Sequence, residues 1–536
     1  MSTILRITNG LFRTSLAKSA KPVFSQPIKN LEIKSDQNWV IWGPGKSKMI
    51  DILTNKYIAV PPSALTYDSS ETCNGTFSGV SALQFNGAIP TAHLSARYEY
   101  FKEEFDETCR QFILDNAITS NSISYSVPTS FREVDMGLYG HLIRGLNLVD
   151  LQDRWAIGLS NGQMRRARLA RALLKKPALL LIDDPFLGLD STSQSTISKY
   201  ISESNNTIGV PVALGLRYQD PLPQWCTHIC CVEDGPGVIF SGPIGDFMDK
   251  IEKIRSRTLH SLKSEKASYS QQTKYTTADL IAAHPMYRKS QHEILKMPDN
   301  IRFEGINVSY NGEPVLKNLY WSVKPGSRWR VKGDNGTGKS TLLSLIVAEH
   351  PQSWNSKVVD NGQPRRTGKS NYFDINKRIG MSSPELHSIF IKRGANLSVR
   401  EVIATGLHED SSNNLLPSWD RLREPQRTLI EMFLDYFGVK SDTRNKRFGD
   451  LSVSDQKLTL FIKSLVKMPE VLILDEAFSG MEYDTMLRCR EFLEDWPGTI
   501  LAVSHVDDEA PKCDHYLELI SPGKYVIDDV KGRSTL

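Results

Sequence analysis

The sequence predicts an α/β fold that occurs twice along the chain, each copy a mainly parallel sheet with helices on both faces. The first observation is the alternation of short runs of valine, isoleucine and leucine, such as "ALLLID", with helical stretches such as "GQMRRARLARALLKK". The second is an internal repeat, since "WVIWGPGKSKM" at 39–49 is a shortened version of "WRVKGDNGTGKSTLL" at 329–343. Together they indicate two related domains.

The spacing of shared motifs aligns the two halves. From the lysine of the glycine-rich loop to the serine of "LSNGQ" or "LSVSDQ" is 114 positions in the first half and 113 in the second. From that serine to the aspartate that ends an aliphatic run is 23 positions in both halves. The aligned pairs are Lys46 with Lys339, Ser160 with Ser452, and Asp183 with Asp475. We therefore predict domains at 1–243 and 300–536, joined by a polar linker at 244–299 that is helical near 247–262.

Composition excludes several classes of protein. No apolar run approaches the roughly 20 residues that a membrane-spanning helix requires. The net charge is +4, with 65 basic residues interspersed among 61 acidic ones, which gives no argument for nucleic-acid binding. Seven cysteines in 536 residues favour a reducing compartment over a disulfide scaffold. "WCTHICC" at 225–231 contains residue types that could ligate a metal. Because Cys-x-His recurs at 513–515 in the second half, a strand present in both halves is favoured over a metal site.

The amino-terminal segment has two interpretations. Its first 31 residues contain five lysines and arginines, many serines and threonines, and no acidic residue, a composition typical of a mitochondrial presequence. "ILRITNGLF" at 4–12 equally predicts the opening strand of the first domain. Mitochondrion and cytoplasm both remain open as locations.

The segment "GDNGTGKST" at 333–341 has the complete frame of a phosphate-binding loop. Backbone N–H groups and the following helix N-terminus form a nest for the β- and γ-phosphates of a nucleotide. The lysine adds a mobile positive charge, and the hydroxyl of Ser340 can ligate Mg²⁺. The predicted nucleotide-binding residues of this loop are Gly333, Asp334, Asn335, Gly336, Thr337, Gly338, Lys339, Ser340 and Thr341.

Further candidate residues follow apolar strands of the second half. Asp475, at the end of "VLILD", can hold the Mg²⁺ shell through water. Glu476 is a candidate base that would activate the attacking water. The alternative is that these two acids only cap the strand. His505, 30 positions after Asp475, could contact the γ-phosphate. The ring of Tyr310 could stack on adenine or pack in the core.

These motifs together resemble the nucleotide-binding domain of the ATP-binding cassette superfamily, twice over nearly the whole chain. "LSNGQ" resembles the superfamily signature, which closes over the γ-phosphate held by the other domain of a head-to-tail pair. The resemblance therefore implies that Ser160, Gly162 and Gln163 bind ATP. Among two-domain members without membrane helices, the chain is most similar to ModF and photorepair-type ATPases and their fungal relatives, in "RIGMSSPELH", "LSVSDQKLTLFIKSLVKMPEVLILDEAFSGME" and "VDDEAPKCDHYLELISPG".

Departures from the superfamily pattern fall on one of the two implied sites. The first half has a loop three residues short, Asp184 in place of the catalytic glutamate, and Arg217 in place of the histidine. Hydrolysis on Lys46 is therefore expected to be poor or absent. The second half has "LSVSD" as its signature, where side chains on Val453 and Ser454 would crowd a phosphate. In a head-to-tail pair, the altered loop of the first half and the altered signature of the second half belong to the same composite site.

We expect an asymmetric tandem-cassette ATPase that binds MgATP at one or two composite sites and hydrolyses it on the second half. Pro384 lies where members of the superfamily place a glutamine, and this change could alter metal coordination or coupling to a partner.

The expected partner is an unidentified protein, such as a separate membrane component of a transporter. A ribosome- or nucleic-acid-associated switch is disfavoured because 247–298 is mixed in charge. A non-hydrolysing scaffold is disfavoured by the set of Asp475, Glu476 and His505.

Overall fold

The computed structural model describes two compact units, which divide between residues 264 and 274. The described residues are 2–17, 21–67, 79–84, 107–118, 134–156, 159, 161–186, 191–264, 274–310, 313–334, 336–366, 368, 370–407, 419–504 and 509–529. Three predicted site residues, Ser160, Asn335 and His505, and the side chain of Tyr310 lie outside them. Both units are α/β, which confirms the predicted fold class.

The first unit contains ten described strands and six described α-helices. The strands are β1 Thr3–Arg13, β2 Ile28–Lys34, β3 Trp39–Trp42, β4 Ile58–Val60, β5 Leu65–Tyr67, β6 Val80–Gln84, β7 Leu179–Asp183, β8 Val212–Leu216, β9 His228–Glu233 and β10 Gly237–Pro243. The helices are α1 Lys46–Leu53, α2 Cys109–Ile118, α3 Met136–Gly145, α4 Asn161–Leu174, α5 Ser191–Ile208 and α6 Met248–Ser264.

The second unit repeats this plan with additional helices. Its strands are β11 Ile301–Tyr310, β12 Glu313–Val323, β13 Arg328–Lys332, β14 Val358–Asp360, β15 Gln363–Pro364, β16 Ile379–Ser382, β17 Val471–Asp475, β18 Thr499–Val503, β19 His515–Ser521 and β20 Lys524–Asp529. Its helices are α7 Thr277–Ile281, α8 Gln291–Leu295, α9 Lys339–Ile346, α10 Tyr372–Lys377, α11 Pro384–Arg393, α12 Val399–Ala404, α13 Glu424–Tyr436, α14 Ser441–Arg444, α15 Val453–Leu465 and α16 Tyr483–Glu494.

The main sheets of the two units have the same strand order. The first runs β10-β9-β3-β8-β7-β6 and the second β20-β19-β13-β18-β17-β16. Five strands of each are parallel and one edge strand is antiparallel. Every residue of β7 and β18 is buried, as expected for aliphatic parallel strands covered on both faces. The repeat in the sequence is therefore a repeat of structure.

A smaller antiparallel sheet accompanies each main sheet. It is ordered β2-β1-β4, with β5 also paired to β1, in the first unit and β12-β11-β14-β15 in the second. The predicted opening strand is confirmed as β1, in which Leu5 and Ile7 are completely buried. Whether the same segment directs the chain to mitochondria stays a prediction.

The main sheets bring the candidate residues together. The glycine-rich loop of each unit leaves the carboxyl end of β3 or β13, and the acidic pair leaves the same end of β7 or β17, two strands away. Carboxyl ends of parallel strands share one edge of a sheet, where ligands of open α/β folds bind. The topology thus positions both motifs of each unit at one edge.

Part of the predicted linker is folded onto the second unit. Residues 248–264 form α6, close to the predicted helical stretch. Leu280 and Ile281 of α7 are buried in the second core, and His284 hydrogen-bonds the carbonyl of Pro469 at 2.9 Å. Of the helices that the structure describes, none combines the length and apolar character needed to cross a bilayer.

Candidate functional site

The loop of the second unit has a backbone shape that requires glycine. Gly333, Gly336 and Gly338 have φ values of 144°, 89° and 100°, in the region that L side chains rarely adopt. A Cβ atom on Gly333 would come within 2.5 Å of the carbonyl oxygen of Leu519 and the hydroxyl oxygen of Thr337. The glycines of the motif therefore allow the loop to turn tightly before α9.

Lys339 is the first residue of α9 and is half-buried. Its Nζ donates to the carbonyl oxygens of Gly333 at 2.6 Å and Asp334 at 2.9 Å, within the loop itself. Both acceptors are neutral, and an ionised phosphate is a stronger acceptor for an ammonium group than a carbonyl is. This lysine is therefore placed to exchange loop carbonyls for a phosphate.

Carboxylates gather at the end of β17. Burial and the nearby carboxylates of Glu385 and Glu476 raise the pKa of Asp475 well above its ordinary value, while Lys339 and Lys457 act in the opposite direction. Such a site favours an added cation. The hydroxyl of Ser340 and the carboxylate of Asp475 are hard oxygen donors of the kind Mg²⁺ prefers, so these two residues would hold it. Bound Mg²⁺ would neutralise charge on the β- and γ-phosphates.

Glu476 has an unusual backbone conformation. Its φ is 45°, which a residue with a side chain adopts only when its surroundings hold it there. Its N–H donates to the carbonyl of Val503 in β18 at 2.9 Å, and its carbonyl accepts from the N–H of Ser479 and from Nζ of Lys457, each at 3.2 Å. The direction in which this carboxylate leaves the strand is thus set by several contacts.

The equivalent lysine of the first unit is engaged internally. Lys46 is 5% exposed, and its Nζ lies 2.6 Å from Oδ1 of Asp183 and 2.8 Å from Oδ2 of Asp184. Ser47 Oγ donates to Oδ2 of Asp183 at 2.6 Å. Although burial alone would lower it, Asp184 and Asp183 raise the pKa of Lys46 above its ordinary value. The ammonium and hydroxyl that correspond to Lys339 and Ser340 are occupied by carboxylates.

The backbone of the short loop is also engaged. Gly43 N donates to the carbonyl of Leu216, and Gly45 N to that of Val232, each at 3.0 Å. Lys46 N donates to the carbonyl of Gly43 at 3.1 Å. These three N–H groups connect the loop to β8 and β9 or close its own turn. With three residues fewer, the loop uses as internal contacts the donors that a phosphate nest would present.

Arg217, which replaces the strand-end histidine, is directed to a local carboxylate. It is 8% exposed. Its NH2 group donates to Oδ1 of Asp220 at 2.9 Å, and its Nε and backbone N donate to Oδ2 at 3.2 and 2.8 Å. The guanidinium charge is thereby neutralised inside the first unit.

The two signature segments each begin a helix. In the first unit, Gly162 is buried and Gln163 half-buried in the first turn of α4. In the second, Ser452 caps α15: its Oγ accepts from the N–H of Asp455 at 3.1 Å and donates to the Asp455 carboxylate at 2.9 Å. The serine hydroxyl of the second signature therefore already has an anionic partner.

The structure corrects one expectation about the second signature. Ser454 was expected to crowd a phosphate, but its side chain is buried, and its hydroxyl accepts from the N–H of Glu482 at 2.9 Å. The side chain faces the interior of its own unit. The exposed carboxylate of Asp455, in the position that Gln163 has in the first half, is the stronger obstacle to a phosphate, because like charges repel.

Sequence reasoning missed two buried cations beside the acidic pairs. Lys457 contacts the carbonyl of Glu476, and NH1 of Arg165 lies 3.5 Å from the carbonyl of Asp184. Each is the fifth residue after the serine of its signature. A basic residue at the same offset in both halves is the signal that could have identified them. Any functional role of Lys457 and Arg165 stays a prediction, as do the roles of the predicted ATP and Mg²⁺ ligands.

Comparison with known proteins gives consistent results. The family described as ABC transporter matches residues 28–187 and 316–479. An uncharacterized ABC transporter ATP-binding protein of Saccharomyces cerevisiae is 56% identical over 532 residues, 98% of this chain and 99% of that protein. One of Schizosaccharomyces pombe is 27% identical over 98% of this chain and 100% of its own. The ABC transporter ATP-binding protein ModF of Escherichia coli is 29% identical over 73% of this chain and 76% of its own.

Proposed function

This chain belongs to the ABC transporter family of ATP-binding proteins and is an ATPase, and from that premise we propose that it hydrolyses ATP at one site only, built on the loop of the second half. The observation that carries the proposal is the contrast between two lysines. Nζ of Lys46 is bound to Asp183 and Asp184, whereas Nζ of Lys339 contacts the loop carbonyls of Gly333 and Asp334. An incoming phosphate displaces carbonyls more readily than carboxylates.

In the proposed site, ATP is held by the second loop and by the first signature, which completes the site when the halves associate head to tail. Ser340 would hold Mg²⁺ directly and Asp475 would hold it through water, and Tyr310 would stack on adenine. His505 contacts the γ-phosphate. The residues contributed by the signature are Ser160, Gly162 and Gln163.

The proposed reaction uses few groups. Glu476 accepts a proton from a water molecule as that water attacks the γ-phosphorus. The bond from the γ-phosphorus to the bridging oxygen of ADP breaks, which leaves ADP and phosphate. Lys339 and the N–H groups of the loop compensate for the charge that develops on the phosphoryl oxygens.

The opposite site, composed of the short loop and the second signature, is proposed to turn over no ATP. Three side chains there that would meet a phosphate have partners in their own units: Lys46 and Ser47 have the two aspartates, and Ser452 has Asp455. Binding a nucleotide would require these contacts, of which those of Lys46 are buried, to break. The energy for that would have to come from the nucleotide itself.

Paired substitutions test the asymmetry. Lys339→Ala and Glu476→Gln should each lower ATP turnover at least about 100-fold, because they remove charge compensation and the base. Lys46→Ala, the same change at the aligned position, should retain more than half of wild-type turnover per folded molecule. Steady-state phosphate release measures all three, with circular dichroism as the measure of folding. Equal losses from Lys46→Ala and Lys339→Ala would contradict the proposal.

We further propose that the cycle drives a protein partner, a separate membrane component of a transporter, because the relatives are named as ABC transporter ATP-binding proteins. Capture with the Glu476→Gln chain and ATP should recover an integral membrane protein, absent from capture with Lys339→Ala. Recovery of ribosomes or nucleic acid in its place would favour the ribosome- or nucleic-acid-associated switch instead.

The acid-free basic amino terminus supports a mitochondrial location, with the cytoplasm as the alternative.

A further inference from the structure

We infer that Lys457 is a positioning residue for ATP hydrolysis, which holds the peptide of Glu476 in the geometry that the reaction needs. The inference rests on the proposed function, since it assigns to Lys457 a role exerted through the proposed base. Lys457 is not a catalytic residue in this account, because its contact is with the backbone of Glu476.

The first step is the location of the ammonium group. Lys457 lies in the second turn of α15 and is 6% exposed. Its Nζ donates to the carbonyl oxygen of Glu476 at 3.2 Å. Burial lowers the pKa of Lys457, while Glu476, Asp475 and Glu509 favour its charged form. A buried ammonium is costly to desolvate and needs compensating contacts. For Lys457 these contacts lie at the end of β17.

The second step is the need for support at Glu476. With φ at 45°, the peptide of Glu476 has a conformation that neighbouring groups must maintain. One contact comes from β18 through Val503 and one from the following turn through Ser479. Lys457 supplies a contact from a side chain, and it connects α15 to the acidic strand end. Loss of it would let the Glu476 peptide relax and move the carboxylate.

The third step is the rigidity of the helix turn that carries the lysine. The neighbouring Gln456 is buried, and its Nε2 donates to the carbonyl of Phe448 at 3.0 Å. Its Oε1 accepts from Nε2 of His387 in α11 at 2.8 Å. Two buried contacts thus fix the turn beside Lys457. A long side chain positions its target well only when its own base is held, and here it is.

The first unit contains the same arrangement. Arg165, 8% exposed, is directed at the carbonyl of Asp184, and Asp184 has a φ of 51°. The distance is 3.5 Å, longer than that from Lys457. A cation from the signature helix therefore faces the carbonyl of the residue after the strand-end aspartate in both units. Only in the second unit is that residue a glutamate.

The test compares Lys457→Met with Lys457→Arg in the full chain. Lys457→Met keeps the length of the side chain but removes its donor and charge, and kcat should fall about 10- to 100-fold, the usual result of displacing a catalytic group by about 1 Å. The KM and the Kd for MgATP should stay within about twofold, since the hydrogen bond of Lys457 is to the backbone of Glu476 and not to the described residues of the loop. The thermal midpoint should change little, because the desolvation cost of the buried ammonium and its attraction to Glu476 and Asp475 are lost together. Lys457→Arg should restore most of kcat.

Wild-type kcat in Lys457→Met overturns the inference, as does a fall of kcat and thermal midpoint together, which would mark a structural role. A Lys457→Arg chain as slow as Lys457→Met would contradict the hydrogen-bond assignment. Glu476→Gln serves as the separate control: if that chain turns over ATP at the wild-type rate, the proposed function fails, whatever Lys457 does.

Discussion

Lys46 and Lys339 hold the same position of the repeat but have opposite surroundings. Lys46 is buried between two carboxylates, whereas Lys339 is half-buried against carbonyl oxygens. The difference follows from loop length, because a loop three residues shorter brings the amine directly onto the acidic strand end. Lys46 is therefore part of the packing of its unit, whereas the two acceptors of Lys339 within its loop are neutral carbonyls.

At this scale we predict unequal stability costs for one substitution. Lys46→Met would leave Asp183 and Asp184 buried without their cation, which costs about 3 kcal/mol or more of the free energy of unfolding. Lys339→Met should cost less, about 1 kcal/mol, because the lysine is half-buried and its two loop acceptors are neutral, although its charge also acts on Asp475. Urea denaturation of both chains measures the difference. Equal costs would contradict the assignment of Lys46 to a buried ion pair.

The sequence predicted which residues meet at each strand end, but it could not predict what they bind to. The alignment of Lys46 with Lys339 and of Asp183 with Asp475 follows from spacing alone. That Lys46 reaches both aspartates, or that Ser454 turns inward to Glu482, depends on side-chain directions that spacing does not carry. The loops were predictable as motifs, and their electrostatic states were not.

At the scale of elements, α4 and α15 begin with the two signatures and are expected to differ in function. Ser452 serves α15 as its cap and donates to Asp455. Ser452→Ala should therefore destabilise the chain by about 1 kcal/mol and leave ATP turnover unchanged. Ser160→Ala, the matched change in the first signature, should lower turnover.

Phosphate release and thermal unfolding of these two chains decide between cap and ligand. A loss of turnover in Ser452→Ala as large as that in Ser160→Ala would show that both signatures serve active sites, contrary to the asymmetry proposed here. The comparison is informative because the substitutions are identical and lie at aligned positions.

Elements were predictable where the hydrophobic pattern was long. Aliphatic runs such as "LLLI" and "VLIL" became central parallel strands, since strands covered on both faces need uninterrupted apolar sequence. The short helix α7 was not predicted. Its two buried residues, Leu280 and Ile281, are too few to give a periodic pattern, so the segment was assigned to a linker.

At the scale of the whole molecule, two copies of one fold have diverged in complementary ways. The first half has an altered loop and an intact signature, and the second half has the reverse. In the head-to-tail association that we propose, this pattern leaves one site complete. ATP would then act once per cycle, and the first half would contribute recognition of the γ-phosphate without hydrolysis.

The most direct measurement is the number of ATP molecules retained per chain by the Glu476→Gln protein, which should bind ATP without hydrolysing it. We predict one ATP per chain in the presence of Mg²⁺, and none when Lys339→Ala is added to Glu476→Gln. Rapid filtration with radiolabelled ATP gives the count. ATP that persists in the double variant would contradict the account, and two molecules per chain would contradict the inference that internal contacts keep a nucleotide out of the opposite site.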